Sequence, residues 1–149
     1  MNGAQTTEFL LNCDDARYQA WWPGTHLQFH RLSSRDGHVG ETVYMDEFIG
    51  RFRVRMTGIV LSAFPGREIV WQMKWLIRLP VRLLRRLTDE PGRVRLSHTI
   101  EAGYRGIGRV LDPLFRLFFT SEFETAMDQH VRAEFPRLRN YFLARQANP

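Results

Sequence analysis

Between residues 26 and 102 lie stretches in which apolar and polar side chains alternate, separated by turn residues. A period of two marks strands with one buried face. His26–Leu32 is the first such stretch, closed by the turn cluster Ser33-Ser34-Arg35-Asp36-Gly37. Val39–Phe48 follows, then the turn Ile49-Gly50-Arg51. Phe52–Ala63 sets Phe52, Val54 and Met56 on one face and Arg51, Arg53 and Arg55 on the other. After Phe64-Pro65-Gly66-Arg67, Glu68–Leu79 places Trp71, Met73, Trp75 and Ile77 opposite Gln72, Lys74 and Arg78. Pro80 interrupts, Val81–Thr88 is a shorter strand, and Asp89-Glu90-Pro91-Gly92 turns the chain into Arg93–Ala102. There Val94, Leu96, His98 and Ile100 point inward while Arg93, Arg95, Ser97, Thr99 and Glu101 point outward. Short turns between successive strands predict an antiparallel meander of about six strands.

The flanks are helical. Thr6–Asn12 is short and apolar on one side, through Phe9 and Leu10. Asp14 or Asp15 can cap a second short helix, Ala16–Trp22, which Pro23-Gly24 ends. Past residue 103 the period lengthens. Leu111, Leu114, Phe115, Phe118, Phe123, Met127, Val131, Phe135, Leu138 and Phe142 recur every three or four residues, which predicts a long amphipathic helix over Tyr104–Arg145. Pro113 suits a first helical turn after Asp112, Thr120-Ser121 can restart the helix, and Pro136 should bend it. A helix this long needs a surface to cover, and the apolar face of the sheet is the one available. The expected class is therefore α+β, with the sheet wrapped on the C-terminal helix.

Composition narrows this little. A chain of 149 residues, 44% of them hydrophobic, fits one domain with a sizeable core. No apolar run reaches the roughly 18–20 residues that span a bilayer. Met1–Thr7 lacks the basic and apolar regions of a signal peptide. Cys13 is the sole cysteine, which excludes an internal disulfide or a cysteine-based metal site and points to a cytoplasmic setting. The net charge is +5, and every basic residue but Lys74 is arginine. Because the arginines alternate along the strands, they read as a solvated sheet face, and nucleic acid is not the expected partner.

The short-helix pair, Phe9-Leu10-Leu11-Asn12 with Tyr18-Gln19-Ala20-Trp21-Trp22-Pro23-Gly24, and the run Glu122–Phe142 resemble the START-like helix-grip superfamily, the SRPBCC group. Within it the chain looks most like bacterial polyketide cyclase/dehydrase-type proteins. The resemblance covers nearly the whole chain and is one of architecture, without a catalytic signature. It implies a helix-grip fold with a hydrophobic cavity between sheet and closing helix. The family's first strand, which should precede the short helices, is missing here. Its loss would leave the Arg93–Ala102 edge open, and a homodimer through that edge is the expected consequence.

The inward face supplies candidate ligand contacts: Phe29, Val43, Met45, Phe52, Met56, Trp71, Met73, Trp75, Leu96, His98 and Ile100. Phe115, Phe119, Phe123 and Met127 oppose them from the helix. A filled core is the bland alternative. His98 is the most pointed residue, since an imidazole on an apolar face must find a partner or lose proton affinity. It reads as a polar handle for a ligand or as a general acid/base, against a purely structural histidine. Glu41 and Glu47 share the phase of Val43 and Met45 but sit toward strand ends, so both are expected at a solvated rim; an inward Glu41 would allow a Glu41–His98 catalytic pair. His26 and His30 share a face of the first strand but lack a third ligand, so no metal site is expected. His130 borders the helix stripe. No nucleophile elbow, P-loop or dinucleotide fingerprint occurs, and Gly103-Tyr104-Arg105-Gly106-Ile107-Gly108 reads as a hinge loop.

These residues point to a domain that binds a hydrophobic small molecule, a lipid or an aromatic, polyketide-like compound, with no cofactor. Two further readings use the same features. One is a cyclase or dehydratase with His98 and Glu41 moving protons. The other is a membrane-surface or regulatory adaptor using the outward arginines and a Trp21-Trp22 edge.

Overall fold

The alternating stretch forms a six-stranded antiparallel sheet in sequential order: β1 (His26–Arg31), β2 (Thr42–Ile49), β3 (Phe52–Phe64), β4 (Glu68–Lys74), β5 (Arg78–Glu90) and β6 (Arg93–Ala102). The computed structural model describes residues 2–74, 78–103, 113 and 119–147, with the side chains of all of these but 78, 146 and 147. Among the described residues three helices have defined bounds: α1 (Gly3–Leu11), α2 (Asp15–Trp21) and α3 (Ser121–Ala147). The class is α+β, an open curved sheet gripping a long C-terminal helix, as the periodicities predict. Trp75, Phe115, most of the hinge loop and the first part of the helix stripe lie outside the described residues. No helix among the described residues is long and apolar enough to cross a membrane.

Residues 3–11 are helical. The Asn2 and Gln5 side chains and backbones bond reciprocally, so the first turn of α1 is capped. The Gly3 amide donates to Asp89 Oδ1 at 2.7 Å and the Gly66 amide to Thr7 Oγ1 at 3.0 Å. These bonds dock α1 against two strand turns. Asp14 is the residue that caps α2, accepting from the Arg17 amide at 2.8 Å. Asp15 instead reaches β1, where it accepts from the Phe29 amide at 2.7 Å.

Pro80 does not end a strand as predicted; it lies inside β5. The β4–β5 register is irregular between Gln72 and Lys74, which pair with Arg82 and Arg78. The proline falls in the extra residues of that irregularity, where no ladder donor is required of it. The Gln72 amide side chain donates to the carbonyls of Leu79 and Val81 and stands in for the lost ladder bonds. The closing helix also differs. Phe119 and Thr120 are not helical, and Thr120 Oγ1 accepts from the Phe123 amide at 3.2 Å. The hydroxyl caps a new helix at Ser121, so Tyr104–Arg145 is not one continuous helix.

The core joins all layers. Leu10, Tyr18, Trp21, Phe29, Met45, Val60, Ile69, Trp71, Met73 and Leu138 are buried in one cluster. Arg53 and Arg55 sit on the exposed face and flank the buried carboxylate of Asp46, with Arg53 bonding both oxygens at 3.0 and 2.8 Å. The Arg53 bonds hold the Asp46 carboxyl below its usual range.

Candidate functional site

Between the sheet and α3 lies a cavity of about 100 Å³. Its apolar wall includes Phe29, Met45, Met56, Trp71, Met73 and Ile100 from the sheet, and Phe119, Phe123, Met127 and Val131 from the helical side. His98 faces it too, because β6 runs without a bulge and keeps its phase. These are positions that strand and helix periodicity selects. Three candidates lie elsewhere. Val43 is packed in the core, and Leu96 faces a separate groove with Phe135, Leu138 and Phe142. Phe52 stacks edge-on against Phe123, with ring centres 5.4 Å apart, outside the cavity lining.

One end of the cavity is polar. Tyr18 from α2 donates to Glu47 Oε2 at 2.6 Å. His130 Nε2 from α3 lies 3.4 Å from the same oxygen, and His26 Nε2 from β1 lies 3.7 Å from it. Glu47 was expected at a solvated rim, but only a fifth of its side chain is exposed. The last turn of β2 is covered by α2 and α3, so its inward phase carries the carboxylate into the protein. Burial alone would raise this carboxyl, but His130, the Tyr18 hydroxyl and His26 together hold it below the usual range. Burial, then the Glu47 charge, pushes the Tyr18 hydroxyl well up.

His26 and His30 do not share a face. The β1–β2 register shifts between His26 and Gln28, and the irregularity turns His26 inward beside Phe29. His26 is 0% exposed, and burial drives its ring down to about 4. His30 is partly exposed and lies 2.9 Å from Asp15.

Beside this cluster, Arg85 donates to Glu134 Oε1 at 3.0 Å and to His98 Nδ1 at 3.4 Å. Arg85 pairs across the strands with His98, and its guanidinium lies over Trp71 at 5.7 Å. Burial, then the Arg85 charge, pushes the His98 ring down to about 3. Burial and the Glu47 charge raise the Glu134 carboxyl against the pull of Arg85.

The Glu41–His98 pair does not form. Glu41 is 0% exposed, so the expected solvated rim is wrong, but it is buried away from the cavity. It precedes β2 and is held by its own loop: the Arg35 amide donates to it at 2.9 Å, Ser34 Oγ at 3.3 Å, and His38 Nδ1 lies 3.0 Å away. Burial would raise its carboxyl, yet Arg35, His38 and Arg31 hold it below the usual range. Trp21 is buried, and Trp22 is covered by His130 and Arg137, so the pair offers no exposed aromatic edge. Cys13 is buried, and burial pushes its thiol up to about 12.

The sequence reading passed over Arg85, Glu134 and Tyr18. Arg85 had a signal: it is in phase with Val81, Leu83 and Leu87, an arginine on an apolar face. Glu134 stands four residues after His130, so both lie on one face of α3.

Comparison of the chain with protein-family models, with curated proteins and with solved structures finds no match.

Proposed function

We propose that the protein binds a small hydrophobic molecule bearing one polar group, held between the sheet and α3. The observation that carries this reading is an apolar cavity whose polar side chains gather at one end. A volume of about 100 Å³ is below the ~150 Å³ that holds a benzene ring, so it suits a compact group. His98, Ile100, Phe119, Phe123, Met127 and Val131 also line a neighbouring surface groove of about 320 Å³, which could take the rest of a larger lipid or polyketide-like ligand. Met45, Met56, Met73 and Met127 make a wall that can adapt to such a guest. The START-like resemblance of the two short helices and the closing helix agrees with this use of the fold, and remains an analogy of architecture.

The test is a fluorescence titration with short-chain alcohols and medium-chain fatty acids. Trp71 lines the cavity, so saturable quenching is expected. Met127→Trp, which fills the space, should abolish it while the protein stays folded. Quenching that survives Met127→Trp would reject the cavity as the site.

A second reading is acid–base catalysis of the cyclase or dehydratase type. It is favoured by Glu134, whose raised carboxyl could donate a proton, facing the same cavity as the neutral ring of His98, which could orient a polar group of the substrate. Turnover lost in both Glu134→Gln and His98→Ala, with binding retained, would support it.

The outer edge of β6 is the proposed contact for a second copy. Among the described residues no strand pairs with it. Sedimentation showing only monomer at micromolar concentration would reject that contact.

A further inference from the structure

His26 at the start of β1, Glu47 near the end of β2 and His130 in α3 are far apart in sequence but share one point in space. One potential ligand atom from each lies within 4.8 Å of the other two. Donor atoms bound to one tetrahedral zinc at ~2.0–2.1 Å stand about 3.4 Å from each other. The His130–Glu47 separation is 3.4 Å and the His26–Glu47 separation is 3.7 Å. Small side-chain adjustments would suffice to bring the set onto one ion.

Hydrogen bonding does not account for the place of His26 in this arrangement. At 3.7 Å, His26 Nε2 is too far from Glu47 to bond to it. It is buried in a ring that is 0% exposed and has no hydrogen-bond partner. An unpartnered polar atom in such a place costs roughly 1–3 kcal/mol. Here it also points at a carboxylate and a second imidazole.

The surroundings hold the three side chains in place. His26 Nδ1 lies 3.1 Å from the Tyr18 carbonyl. A proton on Nδ1 would be donated there, leaving the Nε2 lone pair facing Glu47, which is the usual outer partner of a ligating histidine. The Trp21 indole also approaches Nδ1 and would favour the opposite tautomer in the metal-free protein. The Tyr18 ring stacks on His26 at 3.9 Å, and its hydroxyl anchors Glu47. Trp22 stacks on His130 at 4.6 Å.

We propose that His26, Glu47 and His130 form a mononuclear site for a divalent transition metal, with its open coordination position facing the cavity. Two imidazoles and one carboxylate suit zinc and ferrous iron alike, and are a poor set for calcium or magnesium, which prefer all-oxygen sites. Three protein ligands leave room for a water or for the polar group of a cavity ligand. The site stands on its own geometry and does not depend on the organic ligand.

The test uses the full chain, stripped with a chelator and titrated with Co²⁺ as a spectroscopic probe. One Co²⁺ per chain should bind and give visible d–d bands of a low-coordinate site, bleached by one equivalent of Zn²⁺. His130→Ala and Glu47→Gln should each weaken binding by more than about 100-fold, beyond the 10–100-fold typical of outer partners. His30→Ala, at a partly exposed histidine outside the set, should bind as the parent does. Circular dichroism confirms that the variants are folded; His26 is left intact because its ring is packed in the core. Elemental analysis of protein purified without added metal, repeated anaerobically, separates zinc from iron. Sub-stoichiometric binding, or binding unchanged in folded His130→Ala and Glu47→Gln, overturns the site.

Discussion

Arg85 on β5 and Glu134 on α3 form an ion pair of 3.0 Å, with side chains only 12% and 5% exposed. The pair ties the sheet to the closing helix at the cavity wall. Removing one partner of a buried pair typically costs about 3–5 kcal/mol. The two removals should not cost the same here. Glu134→Leu strands an arginine that cannot lose its charge. Arg85→Met leaves a carboxyl already raised by burial and by Glu47, which can take up a proton instead. Denaturant unfolding at neutral pH should show a loss of about 3–5 kcal/mol for Glu134→Leu and about 1–2 kcal/mol for Arg85→Met. Equal losses would mean that Glu134 keeps its charge without Arg85.

His98 should make the fold sensitive to mild acid. Burial and Arg85 depress its ring from 6.5 to about 3, so between those values the unfolded chain binds a proton that the folded protein refuses. Stability is then complete above about pH 6.5 and falls as pH falls through the window. One such group gives a slope of about 1.4 kcal/mol per pH unit. His26, depressed to about 4, acts with the same sign. Glu134, being raised, acts with the opposite sign, and both cancel when two proteins differing only at residue 98 are compared. The depressed carboxyls of Glu41 and Asp46 begin to matter only below their ordinary values of 4.5 and 3.8. His98→Leu should therefore flatten the stability profile between pH 6.5 and 4.5 by about 1 kcal/mol per unit. An unchanged slope would show that His98 titrates normally.

Glu41 should matter for stability and not for the cavity. Its carboxylate organises Ser34, Arg35 and His38 in the β1–β2 connection, and His38 itself takes a left-handed backbone at φ 66°. Glu41→Gln keeps the volume but loses the charge that several donors share. A loss of about 2–3 kcal/mol is expected in chemical unfolding. The midpoint of any cavity-ligand titration should not move, and a shift in it would reconnect Glu41 with the site.

Strand phase was legible in the sequence, because it depends on local alternation. It placed Phe29, Met45, Met56, Trp71, Met73, His98 and Ile100 on the cavity wall. The polar end was not legible, for three physical reasons. A bulge after His26 reversed the face of one histidine relative to the other. Glu47 looks terminal in its strand, and only the packing of α2 and α3 over that end buries it. The approach of His130 and Glu134 depends on how α3 lies across the sheet, a relation no local period encodes. Pro80 shows the same limit: a proline is a turn signal unless a side chain elsewhere, here Gln72, bonds the carbonyls on either side of it.

The turn between β2 and β3 should set how closely α3 approaches the sheet. Gly50 has φ +59°, and a Cβ built on it would stand 3.1 Å from Ala126 Cβ. Gly50→Ala therefore meets two penalties. The left-handed backbone costs roughly 1–2 kcal/mol for a residue with a side chain. The close contact adds to this by pushing Ala126, one residue before Met127, away from the turn. The two terms separate in a double-mutant cycle. Ala126→Gly relieves the contact but cannot relieve the backbone, and alone it costs about 1 kcal/mol of helix propensity. In the Gly50→Ala background that cost should shrink, with a coupling of at least about 0.5 kcal/mol. Strict additivity would mean that the turn and the helix do not touch. A positive coupling should also appear as altered ligand affinity in Gly50→Ala, because Met127 lines the cavity that the helix closes.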